Sequence, residues 1–206
     1  MILEIVQVGS MGVNCYILAS GDGSKAIIID PGDQERKIRK ALEKHHLSAG
    51  FVINTHGHYD HIGCDDKFGV PVYIHKDDLG MLTDPKLNFS AFFALSYKVE
   101  SQIFTLDEGQ VIEMDDIKLK VLHIPGHTRG GIALLLMGQK EKMVFTGDTL
   151  FCQAIGRSDL EGGDGELMVK SIKEKLMILP LETIVYPGHG ASSTINEEKD
   201  NPYLNA

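Results

Sequence analysis

Apolar and polar positions in this chain fall into short blocks, most of them too short for helices and bounded by glycine, aspartate or proline. Residues 2–8 alternate in polarity, and 14–19 follow across Gly9 and Gly12, which predicts a hairpin. A third strand is expected at 25–29, where three successive isoleucines suit burial on both faces. Further strands are predicted at 51–54, 70–74, 110–114, 117–123, 131–137, 142–145 and 182–186. Helical spacing appears at 33–47, with Asp33 as cap and Ile38, Ala41 and Leu42 on one face. It appears again at 166–179, where Asp164 is the expected cap, Val169, Ile172, Leu176 and Leu179 form the face, and Pro180 is the stop. A short helix is expected from Asp60, ended by Gly69. Segment 151–165 reads as a glycine-rich loop, and 85–102 is irregular. The latter collects Phe89, Phe92, Phe93 and Tyr97, whose ordinary role would be core or subunit contact, with a substrate wall as the alternative. Strands interleaved with helices imply sheets covered by helices, an α/β layered fold. Neither a repeat nor a low-complexity linker divides the chain, so one domain over 1–206 is expected.

One feature recurs along this pattern. Apolar strands run into glycine-bearing turns that carry His56, His127, Asp148 and His189. The first of these turns, Thr55-His56-Gly57-His58-Tyr59-Asp60-His61, offers four potential metal ligands within six residues, and Gly57 there is expected to let the backbone turn sharply. Ligands at strand exits can come from several strands and still meet at one sheet edge. Seven candidates result: His56, His58, Asp60, His61, His127, Asp148 and His189. That is too many for one tetrahedral ion and suits two ions sharing a carboxylate. The expected division is His56, His58 and His127 on one ion, with Asp60, His61 and His189 on the other and Asp148 between them. Such a pair would hold a hydroxide ready for attack near neutral pH, with Asp60 and Asp148 as the catalytic carboxylates. Asp30, at the exit of the third strand, offers either turn chemistry or a hydrogen bond that orients a ligand histidine. His45, His46 and His75 are not counted as ligands, and Cys64 reads as a small buried hydrophobe.

Composition narrows the partners. The chain has 206 residues, 43% hydrophobic and 24% charged, ordinary values for a globular protein. With 20 basic against 29 acidic residues the net charge is −9, which argues against nucleic acid and anionic lipid as partners. Three scattered cysteines form no disulfide framework and favour a reducing, cytoplasmic setting. Residues 1–8 read as a strand and not as a signal peptide, and no apolar run is long enough to span a bilayer.

Taken in order, His56-Gly57-His58-Tyr59-Asp60-His61, Gly126-His127-Thr128, Gly147-Asp148-Thr149 and Gly188-His189-Gly190 resemble the metallo-β-lactamase superfamily. With Asp30-Pro31-Gly32 these motifs cover most of the chain, and the resemblance implies a four-layer αββα sandwich. Within the superfamily, residues 145–151, Ile155-Gly156-Arg157-Ser158-Asp159 and the tail 198–203 are similar to the glyoxalase II group, in its short bacterial form. The resemblance implies hydrolysis of S-D-lactoylglutathione or a related thioester, with two divalent ions, zinc first and iron or manganese as alternatives. Arg157 is the local candidate for receiving a substrate carboxylate, and an ion pair with Asp159 is its other reading. Seventeen residues follow His189, so the C-terminal helical domain of larger glyoxalase II enzymes is not expected. The rivals are a persulfide dioxygenase using one iron on His56, His127 and Asp148, a superfamily nuclease, and a metal-binding module without activity.

Overall fold

Ile27, Ile28 and Ile29 show how the chain is layered. They lie on strand β3 (Lys25–Ile29), where side chains alternate between the two faces of the sheet. Ile28 packs with Ile17, Val52 and Ile74 beneath Ile38 and Leu42 of helix α1 (Glu35–Lys44). Ile27 and Ile29 face the other way, against Leu119, Leu134 and Phe145 of a second sheet. A third cluster joins the far side of that second sheet, through Val144 and Val185, to Met168, Ile172 and Leu176 at helix α3 (Gly165–Lys175). The layers therefore run helix, sheet, sheet, helix, the αββα sandwich that the sequence motifs imply. Each of these isoleucines is fully buried, worth about 1.5–3 kcal/mol in removal from water.

The computed structural model of this chain describes residues 1–205. Its first sheet carries β1 (Ile2–Val8), β2 (Val13–Ala19), β3, β4 (Ser48–Ile53), β5 (Val72–His75) and β6 (Ile103–Leu106) in that spatial order. The first three strands are antiparallel and β3 to β6 are parallel. In the second sheet, β7 (Val111–Met114), β8 (Ile117–His123), β9 (Ile132–Met137) and β10 (Met143–Gly147) form an antiparallel meander. A small hairpin, β11 (Leu150–Phe151) with β12 (Ala154–Ile155), interrupts the predicted loop. Strand β13 (Ile184–Pro187) then adds parallel to β10, and β14 (Ser193–Thr194) closes the edge. Two short α-helices, α2 (Tyr59–Ile62) and α4 (Ile195–Glu198), and 3-10 segments at Asp65–Lys67, Lys76–Leu82 and Ser90–Phe93 make up the rest.

Several expectations shift. Helix α1 is shorter than predicted: Gln34, with a left-handed φ of 53°, precedes it, and Asp33 accepts from the Gln34 N–H instead of capping. At its other end His46 is also left-handed, and the Leu47 N–H reaches back to the Leu42 carbonyl, which terminates the helix. The helix from residue 59 stops at Gly63, followed by a single 3-10 turn over Asp65–Lys67. Strand β6 was not expected, because its four residues sit at a sheet edge and leave Phe104 exposed. The Asp164 cap is formed: its side chain accepts from the Leu167 N–H.

Parallel neighbours end at the same edge, and that placement builds the site. Strands β3 and β4 run in register to Ile29 and Ile53, and β10 and β13 run together to Gly147 and Pro187. Backbone bonds then tie the two sheets at this rim. Ile132 N–H donates to the Thr55 carbonyl (2.9 Å), and Asn14 N–H donates to the Gly188 carbonyl (2.7 Å).

Candidate metal centre

The rim gathers all seven predicted residues. Ligand atoms of His56, His58 and His127 form one trio, and those of Asp60, His61 and His189 form another. Asp148 lies between them: Oδ1 is 3.4 Å from His61 Nε2, while Oδ2 is 3.7 Å from His127 Nε2 and 3.5 Å from His189 Nε2. Asp60 Oδ2 is 3.5 Å from His189 Nε2 and 3.8 Å from His61 Nε2. Crowding at this scale excludes extra atoms. A side chain at Gly188 would place its Cβ 2.1 Å from Asp148 Oδ1, and one at Gly147 would meet the Thr55 hydroxyl. Gly57 is not among the left-handed residues, and the backbone bends just before it, at residues 55–56. What it supplies is room, since a Cβ there would lie 2.4 Å from Met81 Cβ.

The Nδ1 atoms of His56, His61, His127 and His189 are each held by a defined partner, whereas His58 turns Nδ1 toward His127 Nε2 at 2.9 Å. His61 Nδ1 meets Asp30 Oδ2 at 3.0 Å, and Asp30 also accepts from the Thr55 N–H and hydroxyl, each at 2.7 Å. His127 Nδ1 donates to the Arg157 carbonyl (2.8 Å), and His189 Nδ1 donates to the Met11 carbonyl (3.0 Å). A carbonyl only accepts, so Nδ1 carries a proton in both rings and Nε2 is the atom turned inward, where that of His127 meets His58 Nδ1 at 2.9 Å. The Thr55 hydroxyl, already donating to Asp30, accepts from His56 Nδ1 (3.2 Å). Asp30 thus contacts His61 at the ring nitrogen away from Asp60 and Asp148, and it also sits at the left-handed turn after β3. The carbonyls of Met11 and Arg157 left no signal in the sequence, because backbone groups are common to every residue.

A second buried carboxylate was missed. Asp78 accepts from Gly57 N–H (3.2 Å), the Thr128 hydroxyl (2.7 Å) and Gly130 N–H (2.6 Å), so it clasps the loop of His56 and His58 to the loop of His127. Burial pushes its carboxyl up, against those hydrogen bonds. No spacing rule relates residue 78 to 57 or 128, and only the fold brings them together.

The centre fits divalent cations on its own geometry. Three buried atoms, His56 Nε2, His58 Nε2 and Asp148 Oδ1, have no hydrogen-bond partner among the described residues. Orphaned polar atoms are expensive unless something satisfies them, and imidazole with carboxylate is a transition-metal donor set. The electrostatics divide the same way. Burial, reinforced by its histidine neighbours, holds His56 well below the usual imidazole value, and His58 is pushed down to about 3. Burial also opposes a charge on His61, yet Asp148, Asp60 and Asp30 outweigh it and push that ring up to about 10. Asp60 is held well below the carboxylate range, since His61 and His189 overcome its burial.

Beside the centre lies a cavity of about 390 Å³, lined by His58, Asp60, His127 and Asp148 on one side and by Phe89, Phe92 and Phe93 on the other. A larger groove of about 710 Å³ runs around the start of α1 but touches none of the seven residues, so the smaller cavity is the relevant one. The aromatic cluster is not core, because Phe92 and Phe93 are exposed. Arg157 lines the cavity, and its Nε and Nη2 donate to the two carboxylate oxygens of Asp159, each at 2.8 Å. Cys64 is buried, with its thiol pushed up to about 11 by that burial, in keeping with a packing role. No helix among the described residues is long and apolar enough to cross a membrane.

Known proteins resemble this chain over most or all of its length. The family model described as metallo-beta-lactamase superfamily matches residues 8–189. Hydroxyacylglutathione hydrolase GloC of Haemophilus influenzae is 33% identical, over 100% of this chain and 99% of its own. Among solved structures, the BLEG-1 B3 metallo-beta-lactamase superposes with a TM-score of 0.91 at 34% identity, covering 100% of both chains. TTHA1623, solved in a di-iron-bound form, gives 0.84 at 32% identity, over 98% of this chain and 100% of that one.

Proposed function

This chain belongs to the metallo-beta-lactamase superfamily, and from that footing we propose that it is a binuclear thioester hydrolase of the hydroxyacylglutathione hydrolase kind. The observation that carries the reading is the pair of ligand trios facing each other across Asp148, with three buried donor atoms left without partners. His56, His58 and His127 would hold one divalent ion, Asp60, His61 and His189 the other, with Asp148 shared. When bound, such ions supply Lewis acidity and lower the pKa of water toward about 7. Zinc suits these donors, and the di-iron form of a relative keeps iron beside it.

The residues themselves do the positioning. Asp60, ionised at neutral pH and lining the cavity, accepts a hydrogen bond from the attacking water and aims it. Asp30 and the carbonyls of Met11 and Arg157 keep three imidazoles from rotating. Hydrolysis replaces the carbonyl C–S bond with a C–O bond from water, giving a carboxylate and a thiol with release of one proton. A thioester suits the site, because thiolates with a pKa of about 8.5 leave readily. S-D-lactoylglutathione or a related small thioester is the substrate class this implies, supported by the full-length likeness to GloC.

The test is metal analysis of the purified protein followed by thioester hydrolysis with that metal present. Two ions per chain and thiol release are expected. One iron per chain with oxygen uptake on glutathione persulfide would overturn the reading in favour of a dioxygenase.

A further inference from the structure

We propose that the acyl group of the substrate is apolar or aromatic and is seated against Phe89, Phe92 and Phe93. This rests on the thioesterase reading above and, among the related thioesters it allows, sets an apolar acyl group ahead of lactoyl. Three observations support it.

The wall is built, and it is built to be exposed. Phe89 adopts a left-handed φ of 66°, a conformation that non-glycine residues seldom take. Fully buried Asn88 enforces it: Nδ2 donates to the Met81 and Tyr97 carbonyls at 2.8 and 3.0 Å, and Oδ1 accepts from the Ser90 N–H at 3.0 Å. The Ser90 hydroxyl, also buried, accepts from the Tyr97 N–H. Buried polar side chains that are satisfied in this way rigidify the segment. The product of that rigidity is two phenyl groups left 75% and 59% exposed at Phe92 and Phe93. Exposed aromatics held in place beside a cavity mark a binding surface, since ordinary folding would bury them.

The wall also touches the chemistry. The Phe89 ring lies 5.1 Å from the His58 ring, and Phe93 lies 4.8 Å from Tyr59, the residue before Asp60. The Tyr59 N–H donates to the Asn88 carbonyl (2.9 Å), which joins the wall to the ligand loop. A group attached directly to the reacting carbonyl can therefore reach these rings.

Charge recognition is limited in the same cavity. Its one lysine or arginine is Arg157, whose Nε and Nη2 are paired with Asp159. A thiol portion bearing two carboxylates and an ammonium finds there a single guanidinium, shared with Asp159, whereas an apolar acyl group finds three phenyl rings. The structure thus favours discrimination through the acyl half.

The test uses full-length protein with its metals bound and two thioester series, lactoyl, acetyl, phenylacetyl and benzoyl, on glutathione and on neutral N-acetylcysteamine. Phenylacetyl should exceed lactoyl by about tenfold or more in kcat/KM, the discrimination that apolar pockets reach. The ranking should be the same on both thiols. Phe93→Ala and Phe92→Ala should each narrow the gap, and together reduce it to about twofold. Calorimetric titration with the phenylacetyl and lactoyl amide analogues, which are not turned over, should show the same order of affinity. A preference for lactoyl, or a tenfold advantage of glutathione over the neutral thiol, would overturn the acyl proposal alone. Failure to cleave any thioester with both ions bound would remove the hydrolase reading and this proposal with it.

Discussion

Two histidine clusters in this molecule have similar ingredients and opposite properties. At the rim, His61, His127 and His189 turn Nε2 inward while their Nδ1 atoms are hydrogen-bonded outward. About the end of β5 and β8, His75, Asp77 and His123 also bring ligand atoms close together. There the rings are stacked face to face, 3.9 Å apart at 15°. His75 Nδ1 accepts the Asp77 N–H, and His123 Nε2 donates to the Arg129 carbonyl. Lone pairs lie in the plane of each ring, so parallel rings cannot aim both at one ion. Residue type and proximity are common to the two clusters. What separates them is which lone pairs the backbone has already used.

The largest expected effect is at the rim. Asp148→Ala or His58→Ala should lose metal and hydrolysis together, by several kcal/mol of transition-state stabilisation, about a thousandfold or more in rate. Turnover near wild type in either variant would sink the two-trio assignment. Removing only the orienting group should do less: Asp30→Ala is expected to weaken metal retention about 10–100-fold, read as faster loss to a chelator. At the second cluster, His75→Gln with His123→Gln should leave the metal-to-protein ratio and kcat/KM within about twofold. The double variant should lose about 1 kcal/mol of stability with its ring pair, measured by urea unfolding. Loss of an ion from it would erase the contrast drawn here.

The smallest effect is on pH. Burial, then the neighbouring His123, lowers His75 below the imidazole value, with Asp77 and Asp107 working against them and Lys76 with them. The folded state therefore binds fewer protons there than the unfolded chain. Its contribution to stability is present above the unfolded value of about 6.5 and is lost as pH falls through the lowered one. Unfolding midpoints between pH 7.5 and 5 should fall less steeply in His75→Gln than in wild type. Identical slopes would show that His75 titrates alike in both states.

Much of the fold was legible because strand and helix periods are local. The isoleucines of β3, the Gly9 and Gly12 hairpin and the Asp164 cap depend on neighbours within a few residues. Edge strand β6 and the β11–β12 hairpin escaped, being too short to show a period.

The seven site residues were nameable from the chain because metal donors are few in kind and each follows a glycine-marked strand exit. Their order, types and spacing were determined by the sequence alone. Tertiary structure decided the rest: that parallel strands end on one edge, that Asp78 clasps two loops, and that backbone carbonyls choose the free nitrogen. It also set Phe92 and Phe93 in water beside the cavity instead of in the core. The physical reason is that a lone pair's availability depends on which groups lie within about 3 Å of it, and those come from residues far apart in the chain.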